Sequence, residues 1–213
     1  MNEYKIIITI FIILTLILLM IFTLKKLMLP FLFIHVPKTG GNAIKNTQLF
    51  KDSIYFYHAS IRNVMEWGKK YKASYAIVRN PYDRLVSAFF YLQNGGEKNK
   101  WDIQSMEKQQ KYKNNFKEFV KNLSEFMNDT HYKPQYTFLT DKNHNMKVMH
   151  ILKQENLNDD YMKLQQLYGY SPISLNKVNT SKHEDYNQYY DEETKNLVQE
   201  FYKKDFELLN YKM

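Results

Sequence analysis

Short apolar segments alternate with amphipathic segments along most of the chain. Four segments are mostly apolar and have the length of buried strands; they are 31–36, 54–57, 73–78 and 146–152. Helical patterns separate or follow them, at 42–50, 61–71, 82–92 and 158–168, with a last helix that begins at Asp191. This alternation predicts an α/β fold, a parallel sheet flanked by helices and joined by right-handed crossovers.

One apolar run, at 6–24, is much longer than the others. At 1.5 Å per residue it would span roughly 28 Å as a helix, close to the ~30 Å hydrocarbon core of a bilayer. It is longer than the apolar part of a signal peptide, and no cleavage site of small residues follows it. The sequence therefore predicts a short tail at 1–5, a transmembrane anchor at 6–24 and one folded domain at 31–213, with the lipid bilayer as a partner. Lys25 and Lys26 favour a cytosolic C-terminus.

Composition narrows the class of ligand. The chain has 213 residues, 44% of them hydrophobic, which is enough for one sizeable core. Its net charge is +8, but the lysines are scattered and no nucleic-acid motif is present, so an anionic cofactor or substrate explains the charge without nucleic acid. There is no cysteine, which excludes disulfides and a cysteine metal site.

The turn after the first strand carries the first candidate chemistry. Pro37 ends the strand because it has no N–H for a sheet ladder, and Gly40 and Gly41 let the backbone approach a ligand closely. Asn42 is suited to cap the next helix, whose free amides, together with Lys38, would form a cradle for phosphate or phosphosulfate. The lysine precedes the glycines, unlike in GxxxxGK[ST] nucleotide-triphosphate loops. The alternative is an ordinary strand–turn–helix connection with a solvated lysine.

A second strand–helix junction repeats this arrangement. Arg79 ends an apolar strand, Asn80 is suited to an N-cap and Pro81 to the first helical position. Ser87 lies about two turns into the helix, and a guanidinium fork beside it matches phosphate oxygens. His58 ends the predicted strand at 54–57, at the sheet edge where ligands bind, and is a natural base near neutral pH. Its alternative is a strand-end histidine that bonds only to backbone.

The motifs VPKTGGNA and VRNPYDRLVSAFFYL occur in this order, each after a predicted strand. Together they resemble the nucleotide-binding motifs of membrane-bound carbohydrate sulfotransferases of the heparan and chondroitin type. The resemblance implies a P-loop, nucleotide-kinase-like fold and PAPS (3′-phosphoadenosine 5′-phosphosulfate) as sulfuryl donor to a carbohydrate hydroxyl. It also implies a type II protein of the Golgi, with its domain in the lumen. Nothing in the sequence calls for a metal.

The resemblance also assigns roles to residues. It implies Lys38 and His58 as catalytic groups, although Ser60 stands where some relatives have a second histidine. The implied cofactor residues are Lys38, Thr39, Gly40, Gly41, Asn42, Arg79, Ser87, Ser181 and Lys182. The polar, aromatic segment 131–141 is similar to a stretch near the acceptor in the family; its substrate-contact candidates are His131, Lys133, Gln135 and Tyr136.

Two further segments and two other functions stay open. The polar segment 93–114 is interpreted as a loop or substrate lid, with Trp101 as a surface plug or a sugar-stacking residue. Apolar residues at helical spacing in 116–127, ending at Met127, predict a core-facing helix. The alternative functions are a nucleotide or small-molecule kinase and a non-catalytic membrane-anchored binding module of the same fold.

Overall fold

The protein is built around a four-stranded parallel sheet. The computed structural model describes residues 3–175 and 183–213, and the strand order is β2-β1-β3-β4. The strands are β1 (Phe31–Ile34), β2 (Ser53–Ile54), β3 (Ser74–Val78) and β4 (His150–Lys153). All three pairings are parallel, which confirms the predicted α/β class.

Helices surround the sheet and extend the domain beyond it. The α-helices are α1 (Glu3–Leu27), α2 (Gln48–Lys51), α3 (Ile61–Glu66), α4 (Pro81–Gln93), α5 (Lys100–Gln109), α6 (Phe116–Lys121), α7 (Tyr136–Leu139), α8 (Leu157–Leu167), α9 (Glu192–Phe201) and α10 (Lys203–Leu208). Short 3₁₀ helices lie at Gly41–Ile44, Gln110–Tyr112, Leu123–Phe126, Gln154–Asn156 and Tyr186–Tyr189.

Strand β1 is buried on both faces. Phe31 and Phe33 pack into one apolar cluster, with residues of α2 and α8, while Leu32 and Ile34 pack into another on the opposite face, with residues of α3 and α7. This alternation explains the unbroken apolar run, because a strand covered on both sides has no polar face. A third cluster joins α4, α6, α9 and α10 beside the sheet. Both β1 and β3 contribute to the two clusters on the faces of the sheet, and the candidate site begins at their carboxyl ends.

Several predicted elements are shorter than expected, among them the strand at 146–152, which is observed only from His150 onward. The helix at 42–50 is divided into the 3₁₀ helix and α2, because Thr47 begins a new helix by accepting a hydrogen bond from the Phe50 amide. Its predicted cap was wrong: Gly40, in the left-handed region at φ 84°, occupies the N-cap position instead of Asn42. The strand at 54–57 ends at Ile54, and Tyr57 turns the chain at φ 49°. The helix at 61–71 ends at Glu66.

The segment 93–114 is not the loop that its polarity predicted. It contains α5, which begins where the Asn99 side chain accepts hydrogen bonds from the amides of Trp101 and Asp102. Trp101 is 70% exposed, so the interpretation as a surface plug was wrong. The apolar stripe that starts at Phe116 is buried as predicted up to Phe126, but Met127 is 57% exposed.

Both ends of the chain contain helices at the predicted positions. Asp191 caps α9 through a reciprocal pair of bonds with Thr194, as its position predicted. At the other end, α1 contains the apolar run 6–24. Over the residues that the structure describes, no helix is both long enough and apolar enough to cross a membrane. The transmembrane anchor stays a prediction.

Candidate active site

The loop after β1 is tightly folded. Lys38 and Gly40 both adopt left-handed conformations, at φ 66° and φ 84°. The Thr39 hydroxyl donates to the Val36 carbonyl at 2.9 Å and is fully buried, so this side chain closes the loop on itself. Gly41 lies against the His35 ring, where an added Cβ would come within 2.7 Å of two ring atoms. The loop is therefore shaped by local sterics that only this glycine permits.

The Lys38 side chain provides a cation at this site. Its Nζ lies 3.6 Å from the centroid of the Tyr91 ring, a favourable cation–π contact. Burial and the nearby charge of Arg79 lower the pKa of Lys38 to about 8, against the opposite effect of Asp102 and Glu97. The ammonium is thus charged at neutral pH but poorly solvated, which strengthens its attraction to an anion.

Two histidines lie next to the loop. His58 Nδ1 is 3.0 Å from the His35 carbonyl oxygen. Since a carbonyl only accepts, Nδ1 carries the proton, and Nε2 is left with its lone pair. Burial is the main cause that lowers the pKa of His58 to about 4 and that of His35 to about 3, so both rings are neutral at pH 7. His35 was missed by sequence reasoning, because it lies inside an apolar strand pattern.

A third histidine approaches from the segment before α7. The centroid of the His131 ring is 6.2 Å from that of His58. Its two nitrogens face Asp102 and Asp129, each at 3.6 Å. Asp102 also accepts a hydrogen bond from the Tyr91 hydroxyl at 2.7 Å, so it connects His131 to the ring that supports the lysine.

Arg79 reaches the loop, but its guanidinium already has partners. Its Nε and Nη2 donate to the two carboxylate oxygens of Asp83 at 2.8 Å each, and Nη1 is 3.4 Å from the Lys38 carbonyl. Ser87 is 1% exposed. A phosphate could therefore contact both residues only after a local rearrangement, and their shared role in phosphate binding stays a prediction.

Of the four substrate candidates, only His131 lines a pocket described below. Gln135 is fully buried, and its amide bonds to the Arg79 backbone in both directions, at 2.9 Å and 2.7 Å. This interaction positions Arg79 and leaves Gln135 no surface for an acceptor, which corrects the prediction. The carbonyl of Lys133 accepts from a buried arginine, and the ring of Tyr136 packs near His144, at a centroid distance of 5.3 Å.

That arginine, Arg84, is a structural residue that sequence reasoning missed. Its guanidinium is almost fully buried and donates to three carbonyls, of Pro37 at 2.9 Å, Lys133 at 2.9 Å and His131 at 3.1 Å. The Arg84 guanidinium therefore connects the loop after β1, which carries Lys38 and is called the lysine loop below, to the segment that carries His131. Its place among apolar residues of α4, one residue before Leu85, was an available signal, because a charged group in an apolar stripe needs buried partners.

Two pockets meet at these histidines. The smaller, about 100 Å³, is lined by Lys38, Asn42, Lys45 and the three histidines, among others. The larger, about 620 Å³, is bordered by α5 and the segment 128–131. Tyr57, His58 and His131 line both. The site thus has a small chamber lined by two lysines and one carboxylate, that of Glu97, and a large chamber, and imidazoles lie between the two.

Two predicted cofactor residues, Ser181 and Lys182, lie outside the described residues. Within 3–175 and 183–213, no group of three or more acidic or histidine side chains is arranged to hold a metal ion. That the reaction needs no metal stays a prediction.

Comparisons with known proteins give one match. The family model described as the sulfotransferase family matches residues 28–212, almost the whole length of the chain. Neither the comparison with curated proteins nor that with solved structures found a match. The family model covers the lysine loop, both arginines and all three histidines of the site. On this evidence, the chain belongs to the sulfotransferase family.

Proposed function

We propose that this protein transfers a sulfuryl group from PAPS to a hydroxyl group of a carbohydrate. The observation that carries the proposal is the position of His58 on the wall shared by the two pockets, next to Lys38 on one side and open to the larger pocket on the other. The donor and the acceptor could then bind on either side of one imidazole. Holding the two reactants close together in this way lowers the barrier to the reaction between them.

The residues of the small chamber fit the anionic part of the donor. Lys38 and Lys45 supply positive charge there, and the amides of 39–42 precede the first hydrogen bond of the 3₁₀ helix, from the Ala43 amide to the Gly40 carbonyl. A four-residue helix has only a small dipole, so the lysines and the loop amides would provide most of the attraction. PAPS, when bound, would supply the activated sulfuryl group.

Lys38 and His58 would share the chemistry. As the acceptor oxygen forms its bond to sulfur and the bond to the bridging phosphate oxygen breaks, Lys38 would neutralise the charge that develops on that oxygen. His58 Nε2 would take the hydroxyl proton, while its Nδ1–H bond to His35 holds the ring in place. The low pKa of free His58 would rise beside an anionic donor, because a negative charge favours the imidazolium. The base would thus strengthen when the donor binds.

We also propose that α1 anchors this activity to a membrane as a single-pass, type II protein of the Golgi. Its described large apolar side chains from Tyr4 to Leu24 are 42–77% exposed, an arrangement that suits lipid contact. The test is alkaline extraction and protease protection of the expressed full chain and of a variant without 6–24. Full release of the complete chain by alkaline carbonate, or digestion of its domain in sealed vesicles with a luminal interior, would contradict the proposal.

The proposed base is tested by a matched pair of substitutions. His58→Asn keeps an N–H that can donate to the His35 carbonyl but removes the basic nitrogen. His144→Asn is the control, since asparagine tolerates the left-handed backbone of that exposed residue. We expect His58→Asn to lower turnover of labelled PAPS by about 10² or more while PAP affinity is kept, and His144→Asn to change neither. Unchanged turnover in His58→Asn would show that another group is the base.

A further inference from the structure

We propose that the larger pocket binds an uncharged sugar unit, stacked on Trp101, and discriminates against uronates and sulfated sugars. The inference rests on the proposed function and names the class of its acceptor. It goes beyond the sulfotransferase family itself, because it depends on side chains of this chain at α5 and at 128–131.

The shape of the pocket favours a sugar ring. Trp101 borders it with 70% of its surface exposed, although apolar side chains of this size are normally covered. Its backbone amide donates to the Asn99 cap at the start of α5, and the Lys100 Nζ lies 5.9 Å from the centroid of the indole ring. The remaining lining is rich in amides and hydroxyls, including Gln104, Asn128 and Thr130. An aromatic face with surrounding polar groups matches the apolar face and the hydroxyl edge of a sugar.

The charges in the pocket oppose an anionic acceptor. Two carboxylates line it, those of Asp102 and Asp129. Burial alone would raise the pKa of Asp129, but hydrogen bonds from His131 and Ser105 outweigh it and hold the pKa below its usual value, so the group stays ionised. Asp102 is 2% exposed and accepts from the Tyr91 hydroxyl and the Glu97 amide, and Asp129 accepts from Ser105, so both carboxylates act on a bound sugar through their charge.

The cation that lines the same pocket is already engaged. The Lys108 ammonium donates to the Glu125 carbonyl and lies 4.6 Å from the centroid of the Phe126 ring. Among the described lining residues there are thus two carboxylates and one ammonium, apart from the imidazoles. The negative charge of a uronate or a sulfate ester would be repelled by the two carboxylates in a partly desolvated space. This repulsion disfavours the binding of an anionic sugar.

Binding is measured through the tryptophan itself. The chain has two tryptophans, so Trp67→Phe leaves Trp101 as the sole indole reporter. The full-length variant in detergent, with PAP present, is titrated with a neutral N-acetyllactosamine tetrasaccharide and with an unsulfated chondroitin tetrasaccharide. These probes have equal length, but the second carries uronates. We expect Trp101 fluorescence to report binding of the neutral probe at least ~10-fold tighter.

Substitutions separate stacking from charge. Trp101→Ala should raise KM for the neutral acceptor at least ~10-fold without changing PAP affinity, whereas Trp67→Ala, at the other exposed tryptophan, should not. Asp129→Asn, which keeps an oxygen acceptor for Ser105, should reduce the preference for the neutral probe at least ~3-fold. Lys108→Met should increase that preference, which gives an independent test of charge if Asp129→Asn does not fold.

The outcomes distinguish this inference from the function on which it rests. Equal or tighter binding of the chondroitin probe in a protein that binds PAP would overturn the inference and leave the proposed function intact. A preference that neither charge substitution alters would also overturn it. If the protein does not bind PAP at all, both this inference and the proposed function are wrong.

Discussion

Substitution of Gly41 by alanine tests whether the packing of the lysine loop sets the catalytic geometry. The residue has an ordinary φ, so alanine brings no backbone penalty, and its effect comes from contact alone. The new Cβ would lie 2.7 Å from the Cδ2 and Nε2 atoms of His35 and 3.1 Å from the Cζ atom of Phe33. An ordinary contact begins at 3.4 Å, so the loop and the His35 ring must separate by about 0.7 Å.

The expected loss of activity depends on which catalytic groups are displaced when the loop and the His35 ring separate. The His35 ring is stacked on Phe33 and lies 4.7 Å from His58 between ring centroids, so it has little room to withdraw. Movement of the loop shifts Lys38, and movement of His35 shifts the carbonyl that orients His58. Since a 1 Å displacement of catalytic groups can cost about 10²-fold, we expect kcat/KM to fall ~10- to 100-fold. Overpacking should lower the free energy of unfolding by about 1–3 kcal/mol.

A double-mutant cycle isolates the contact. Sulfuryl transfer and urea unfolding are measured for Gly41→Ala, His35→Ala and the double variant. Gly169→Ala is the control for backbone strain without a steric contact, because Gly169 has φ 78° and no neighbour within 4 Å. Truncation of the ring removes the closest contact, so the second substitution should cost much less in the His35→Ala background. If Gly41→Ala costs as much there as in the wild type, or if Gly169→Ala impairs activity equally, the reasoning is refuted.

Three further predictions concern stability and pH. Arg84→Met should lower the free energy of unfolding by about 3–5 kcal/mol in urea, because it leaves three buried carbonyls without their donor; a loss below about 1 kcal/mol would contradict this role. Since burial lowers the pKa of His35 to about 3 and that of His58 to about 4, the unfolded chain binds more protons between about pH 4 and pH 6.5, and stability should fall as pH is lowered through this window. His35→Phe should flatten that slope by up to about 1.4 kcal/mol per pH unit, and an unchanged slope would show that His35 does not titrate there. Ser60→Ala should cost about 1 kcal/mol through loss of the α3 cap and leave kcat unchanged, whereas a large loss of kcat would place Ser60 in the site.

Local sequence signals were sufficient where one residue type determines the backbone. The Asn80-Pro81 start of α4 and the Asp191 cap of α9 follow directly from capping chemistry, and both are confirmed. The parallel sheet follows from apolar runs separated by helical patterns. The carboxyl ends of β1 and β3 then had to lie together, which correctly brought Lys38 near Arg79.

The missed features depend on contacts between distant segments. The place of Arg84 among apolar residues of α4 signals a need for buried partners, but those partners are carbonyls 47 to 49 residues away, which no local pattern identifies. Gln135 has the polarity of a surface residue. It is buried nevertheless, because two hydrogen bonds to the Arg79 backbone satisfy its side-chain amide. Helix α5 was missed because polar residues dominate 93–114, and its few buried groups, such as Asp102, are polar themselves. Periodicity detects apolar faces and is insensitive to buried polar networks.

The central claim is that the Lys38 loop binds the phosphosulfate donor. The most direct test is calorimetric titration of the full-length protein, in detergent, with PAP and separately with ATP-Mg. We predict tight PAP binding that weakens at least ~10-fold in Lys38→Met and in Arg79→Ala, and no comparable binding of ATP-Mg. Binding of ATP-Mg without binding of PAP would contradict the account and favour a kinase; binding of neither would favour a non-catalytic module of the same fold.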